Sequence, residues 1–150
     1  LPAECRIATY QRKSTPSKSP FSDRVRSKAR SQPAIAGAMH ISRKVAQVGF
    51  KWNTIDDAWE KVNEKLKEFQ QALSQNDHTC AEKEFGDLLF TLVTIARWYK
   101  INPEEGLAKT NRRFLDRFSY VESSLNGNLA GISLKKLEKL WQTAKRDRRK

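Results

Sequence analysis

Two pairs of carboxylates stand at helical spacing in this chain. Glu64 and Glu68 lie four residues apart, and Glu84 and Asp87 lie three apart. Such separations put each pair on one flank of a helix. If the two helices pack antiparallel across a short turn near 75–77, the flanks converge and gather oxygen ligands suited to a hard divalent cation such as Mg²⁺. The alternative is that all four are ordinary solvated helix acids. Asp87 weighs against that, because Gly86-Asp87-Leu88-Leu89-Phe90 sets an acid within an apolar run, where an unpaired charge is costly.

A second constellation is cationic. Arg113 and Arg117 line up with Lys109 beside Phe114 and Phe118, and Trp141 and Lys145 repeat the four-residue spacing. Guanidinium forks suit bidentate phosphate contact. A solvated helix face, offset by Glu105 and Asp116, gives the same pattern, and a Trp in that setting is more often core than a stacking platform. His40 and His78 lack partners at ligand spacing, and Cys80 has no His, Asn or second Cys placed to make it a nucleophile. There is no phosphate-cradling Gly-rich loop, nucleophile elbow or dinucleotide fingerprint. Enzyme chemistry here would fall to carboxylates and a metal.

The elements that must position these residues read as helices. From Pro33 onward apolar residues recur at helical period, without the alternation or turn signals of hairpins. A first helix is expected over about 34–48, broken at Gly49-Phe50-Lys51-Trp52-Asn53. Thr54 with Asp57 three residues on opens a second, which carries Ile55, Trp59, Val62, Leu66, Phe69 and Leu73 and ends near 75–77. A third, long and buried, is expected over about 78–100 with the stripe Phe85, Leu88, Leu89, Leu92, Ala96 and Tyr99. Asn102-Pro103-Glu104-Glu105 starts a fourth, with Leu107, Phe114, Phe118 and Val121 inward. Ser133 caps a last one bearing Leu134, Leu137, Leu140, Trp141 and Ala144. The fold class is therefore all-α, a bundle of four to five helices. Its wide apolar stripes predict a homodimer.

Composition bounds the rest. The 150 residues are 38% hydrophobic and 31% charged, with a mean hydropathy of −0.74. That suits one compact, soluble domain and leaves no apolar run of the ~18 residues needed to cross a membrane. The net charge of +12 raises the question of nucleic acid, and its distribution answers it. Residues 1–32 carry eight Lys/Arg against Glu4 and Asp23, and Lys145–Lys150 carry five against Asp147. The basicity thus sits in the ends, which limits nucleic acid to weak electrostatic contact. Segment 1–32, rich in Ser, Pro, Lys and Arg, is expected to be disordered, 33–145 to be the helical domain and 146–150 a basic tail. Two cysteines far apart fit a reducing, cytoplasmic setting. The absence of an initiator Met suggests a fragment or processed product, with something missing upstream.

Five ordered blocks carry a resemblance: "KVAQVGFKW", "KVNEKLKEF", "EKEFGDLLFTLVTIAR", "NPEEGLAKTNRRFLDRFSYVE" and "LEKLWQTAK". They resemble, in order and spacing, the MazG-type nucleoside triphosphate pyrophosphohydrolases, most closely the C-terminal catalytic domain of the two-domain bacterial proteins. The resemblance implies an all-α, dimeric enzyme that uses Mg²⁺, or Mn²⁺, to hydrolyse nucleoside triphosphates to NMP and pyrophosphate. It implies Glu68, Glu84 and Asp87 as catalytic metal ligands, with Glu64 as a further ligand, and Arg113, Arg117, Trp141 and Lys145 as nucleotide-binding residues. Lys65 departs from the pattern, because the family has a metal-ligating Glu there; an ammonium swings the local charge by two units and is no ligand while protonated. Thr94 stands where Asn is frequent, and Lys51 where Asp is frequent. The departure at Lys65 leaves a second reading, a nucleotide-binding or dimerisation module of the same fold without turnover.

Overall fold

The computed structural model describes residues 20–147. Among these it holds six helices: α1 (Pro20–Arg30), α2 (Ala34–Gln47), α3 (Ile55–Ser74), α4 (His78–Trp98), α5 (Pro103–Ser124) and α6 (Leu134–Asp147). The described residues divide into two compact units, the first ending at Pro103 and the second beginning at Glu104.

The local chemistry of the helix ends explains most of the boundaries. Thr54 is extended and its side chain accepts from the Asp57 amide, and the Asp77 side chain accepts from the Cys80 amide. Each satisfies one of the amides that a helix start leaves without a partner. Asn76 takes the left-handed conformation at φ 54°, so that α3 stops and α4 starts within three residues, Gln75 to Asp77. A connection this short forces the two helices antiparallel. In the second unit Ser133 Oγ accepts from the Lys136 amide at 3.3 Å at the start of α6.

α3 and α4 form the most extensive helix pair of the first unit, with α2 packed on α4 and α1 on α2. Ala72, Cys80 and Ala81 are the buried contact at the closed end of the α3/α4 pair, with Phe69 packed against them. Phe69 also meets Phe85 at 5.5 Å between ring centroids. Small residues at the crossing let the backbones approach, and this brings the mid-helix carboxylates within reach of one another.

The segment expected to be disordered is corrected by α1. Residues 20–30 are helical, and Val25 is buried. The docking depends on Gly37 in α2, where a Cβ would lie 2.9 Å from the Ala29 carbonyl oxygen. Residues 1–19 and 148–150 lie outside the described residues, and 146–147 continue α6 instead of beginning a tail. With α1, six helices stand among the described residues, where four to five were expected from sequence.

The apolar stripes are only partly buried. On α4 the enclosed face is Cys80, Ala81, Glu84, Thr91, Val93, Thr94 and Ile95, whereas Phe85, Leu89, Leu92 and Tyr99 of the expected stripe are exposed. In the second unit Val121 and Ala144 are buried, but Leu107, Phe114 and Phe118 keep large exposed areas instead of pointing inward.

Candidate active site

The acids of α3 and α4 meet around a lysine. Lys65 Nζ lies 3.1 Å from Glu68 Oε2, 3.6 Å from Asp87 Oδ2 and 3.9 Å from Glu84 Oε2. Lys83, one turn before Asp87 on α4, closes the outer side at 3.1 Å from Asp87 Oδ2 and 3.5 Å from Glu84 Oε1. The antiparallel pair thus draws together Glu68, Glu84 and Asp87. Glu64 is not among them. Its carboxylate points outward, 52% exposed, and accepts from Lys61 Nζ at 3.3 Å.

Burial orders the acids differently from the sequence. The Glu84 side chain is 1% exposed, while that of Asp87 is 39% exposed. Three residues of helix rotate Glu84 onto the face toward α3 and leave Asp87 at the rim, so the apolar neighbours of Asp87 in sequence lie mostly on another side of α4.

The protonation energetics follow from this geometry. Burial pushes the Glu84 carboxyl above its ordinary value, helped by the hydrogen bond and repulsion it shares with Glu68, against the pull of Lys83 and Lys65. Burial also penalises the charge on Glu68, but the hydrogen bond with Glu84 and the Lys65 ammonium outweigh it and hold Glu68 below its ordinary value. For Lys65, burial opposes the charge and is overcome by the hydrogen bond to Glu68 and by the fields of Glu68, Asp87 and Glu84, so its pKa is raised. Lys83 is raised chiefly by its hydrogen bond to Asp87, against the cost of burial.

This donor set does not fit a divalent ion as it stands. The Lys65 ammonium sits among the carboxylates, and among the described residues no group of three or more His, Cys, Asp or Glu is disposed to hold a metal.

Beside the cluster opens a cavity of about 600 Å³, walled by α2, the 49–52 turn, α3 and α4. Ser42, Lys51, Trp52, Phe90, Thr94 and Arg97 line it together with Lys61, Lys65 and Asp87. Arg97 Nε donates to Ser42 Oγ at 2.8 Å, and Ser42 Oγ lies 3.4 Å from Thr94 Oγ1. Sequence reading missed Ser42, Lys61 and Arg97. The only local signal was Arg97 one turn after Thr94 in an apolar helix; the partner Ser42, 55 residues away, is not legible from spacing.

In the second unit the cationic line of α5 borders an aromatic group. Phe114 packs on Trp141 at 4.9 Å and stacks with Phe118 at 6.5 Å. The Arg117 guanidinium lies 6.0 Å from the Trp141 ring centroid, within cation–π range. Arg113 donates to Thr110 Oγ1 at 3.0 Å, and Lys109 pairs with Glu105 at 3.0 Å. Lys145 is half-buried on α6, one turn beyond Trp141.

The site is thus an antiparallel helix pair with carboxylates converging from both members, set among helices alone in the described residues. No family model matches the chain. It is 35% identical over 116 residues to a nucleoside triphosphate pyrophosphohydrolase/pyrophosphatase MazG from Thermotoga maritima, covering 75% of this chain and 44% of that protein. It is 36% identical over 124 residues to a nucleoside triphosphate pyrophosphohydrolase from Escherichia coli K12, covering 78% of this chain and 46% of that one. A Bacillus subtilis protein, YabN, itself uncharacterised, is 50% identical over 70 residues, which is 14% of its length. The chain therefore belongs to the MazG family, and it spans less than half the length of the curated relatives it matches. Among the described residues no helix is long and apolar enough to cross a membrane.

Proposed function

We propose that this chain acts on nucleoside triphosphates as a pyrophosphohydrolase, cleaving between the α- and β-phosphates to give NMP and pyrophosphate. The observation that carries the reading is the convergence of Glu68, Glu84 and Asp87 from two helices in a chain whose relatives are named for that activity. In the second unit, Arg113, Arg117 and Lys145 supply charge for a polyphosphate, and the Trp141 ring, with Arg117 over it, offers a planar surface for a base or ribose.

A second reading, a nucleotide-binding module without turnover, is favoured by the Lys65 contacts. A tethered ammonium satisfies the acids but cannot act as a Lewis acid, and any divalent ion has to displace it. The deciding experiment is pyrophosphate release from a panel of nucleoside triphosphates in Mg²⁺, Mn²⁺ and EDTA. Release that requires a divalent ion supports the hydrolase. Saturable nucleotide binding with no release in any condition overturns it in favour of the binding module.

We also propose a homodimer. Trp59, Leu66 and Leu73 fall at seven-residue spacing on α3, and Phe85, Leu89 and Leu92 form a row on α4, all exposed. Helix stripes of this kind are covered by a second copy in symmetric bundles.

A further inference from the structure

The outer side of α6 carries a charge that the fold does not use. Lys135, Lys139 and Arg146 stand four and seven residues apart on that helix, which keeps them within about 40° of one another around its axis and strings them over about 16 Å. Lys136 flanks the row, and all four residues are exposed. None of them forms an ion pair with an acid among the described residues. Glu138 and Asp147 are the acids of α6 against Lys135, Lys136, Lys139, Lys145 and Arg146, so the helix stays positive.

The rest of α6 narrows what this row can meet. Its apolar side is committed to α5: Trp141 packs on Phe114 at 4.9 Å, Ala144 is buried, and Leu134 alone of its large apolar residues is open. The helix therefore lacks the free apolar face that an amphipathic helix lays into a lipid surface. Single-stranded nucleic acid is held by aromatic rings set among the cations, and the row has Gln142 between Lys139 and Arg146 but no ring. An acidic peptide would form only separate exposed ion pairs, each of which contributes little. Readers of duplex RNA span roughly 16 base pairs across two minor grooves, far beyond one short row. Duplex DNA presents a dense line of phosphates, about one charge per 1.7 Å of axis, and each phosphate neutralised releases counterions. A straight row of cations whose backbone is already fixed by the α5 contact is matched to that line.

We propose that the outer face of α6 binds duplex DNA through its phosphates, independently of base sequence, with Lys135, Lys139 and Arg146 as the contacts and Lys136 beside them. The face lies away from Arg117 and Trp141, which meet each other on the side toward α5, so it does not rest on the pyrophosphohydrolase reading.

The test is fluorescence anisotropy of a short labelled DNA duplex titrated with the full chain in EDTA. The expected result is saturable binding, shared by duplexes of unrelated sequence, that weakens roughly 40-fold between about 50 and 200 mM salt, the response of three neutralised phosphates. Lys135→Glu, Lys139→Glu and Arg146→Glu together lower the affinity tenfold or more at the lower salt. Arg24→Glu, Lys28→Glu and Arg30→Glu, the same charge change at exposed positions of α1, lower it less than threefold. Where circular dichroism shows that the α6 reversal disturbs the helix, the neutral triple Lys135→Gln, Lys139→Gln and Arg146→Gln replaces it and must flatten the salt dependence. Equal losses for the α6 and α1 variants overturn the proposal, since the DNA would then respond only to net charge. A single strand bound as tightly as the duplex overturns it as well, and so do phosphatidylserine vesicles bound more tightly than either.

Discussion

Replacing Lys65 by Met keeps the unbranched stem and removes the charge from the middle of the acid cluster. The Lys65 side chain is 12% exposed and faces Glu68 at 17%, Asp87 at 39% and Glu84 at 1%. Deleting one partner of a buried ion pair costs roughly 3–5 kcal/mol, because the charge left behind is uncompensated. Two features reduce that here. Glu68 and Asp87 retain access to water, and Glu84, whose carboxyl is already pushed up by burial, relieves the repulsion by taking a proton at about 1.4 kcal/mol per pH unit. The expected loss at pH 7 is therefore about 2 kcal/mol, or about 6 °C in Tm for a domain of this size. Lys65→Glu costs more in EDTA, since it adds a fourth carboxylate to Glu68, Glu84 and Asp87. A divalent ion then meets acids without a competing ammonium, so Mg²⁺ raises the melting temperature of Lys65→Glu by several degrees and leaves that of the parent protein nearly unchanged. Thermal unfolding followed by circular dichroism in EDTA and in Mg²⁺ reads all of these values. A Lys65→Met protein that melts within 1 °C of the parent, or a Lys65→Glu protein indifferent to Mg²⁺, would refute the reasoning.

Further outcomes follow from other parts of the molecule. Gly37→Ala places a Cβ 2.9 Å from the Ala29 carbonyl oxygen; α1 must shift, at a cost of about 1–3 kcal/mol, and amide exchange in residues 20–30 should accelerate while α3 and α4 stay protected. The pH dependence of the urea midpoint has two edges. Glu68 is lowered from 4.5, so its stabilisation is present above that value and lost as pH falls through its folded pKa; Lys65 is raised from 10.5, so its stabilisation is present below that value and lost as pH rises beyond it. Glu84, raised from 4.5, works the opposite way to Glu68 and blunts the acid edge, and Glu84→Gln should therefore sharpen it. Leu66→Glu, on the exposed α3 stripe, should convert a dimer to a monomer in light scattering at tens of micromolar without loss of helix; a monomeric parent protein would remove the dimer from consideration.

How much of this was legible beforehand differs by element. Thr54, Asp77 and Ser133 lie next to the bonds they make, and a cap is a local interaction, so the starts of α3, α4 and α6 could be read to within a residue or so. The meeting of α3 and α4 was legible because the 75–77 turn leaves them one way to pack. α1 was not legible, because its stability lies in α2: apart from Val25 the helix buries little of itself, and the close approach at Gly37 cannot be seen in the composition of 20–30. Which acid of α4 is buried was also hidden. Sequence neighbours favour Asp87, but enclosure depends on which side of the helix faces α3, and that side carries Glu84, Thr91 and Thr94. The apolar stripes signalled burial without saying against what, and in a single chain Phe85, Leu89 and Leu92 remain open.

Lys65 joins the stability of this fold to its chemistry. Three carboxylates brought together by two helices need a cation if the α3/α4 pair is to close at neutral pH. A lysine supplies one that is covalently tethered, always present and independent of metal concentration. It brings a single charge and directional N–H donors, where a divalent ion would bring two charges and an open coordination sphere that acidifies water. The two demands therefore compete at one position: a cluster that folds well without metal holds metal poorly, and improving the second by Lys65→Glu weakens the first until the ion is added. That coupling makes the choice between hydrolase and binding module measurable. If the ammonium yields, nucleoside triphosphate with Mg²⁺ stabilises the parent protein more than nucleoside triphosphate in EDTA does, and pyrophosphate is released. If it holds, the two stabilisations are equal, and only Lys65→Glu separates them.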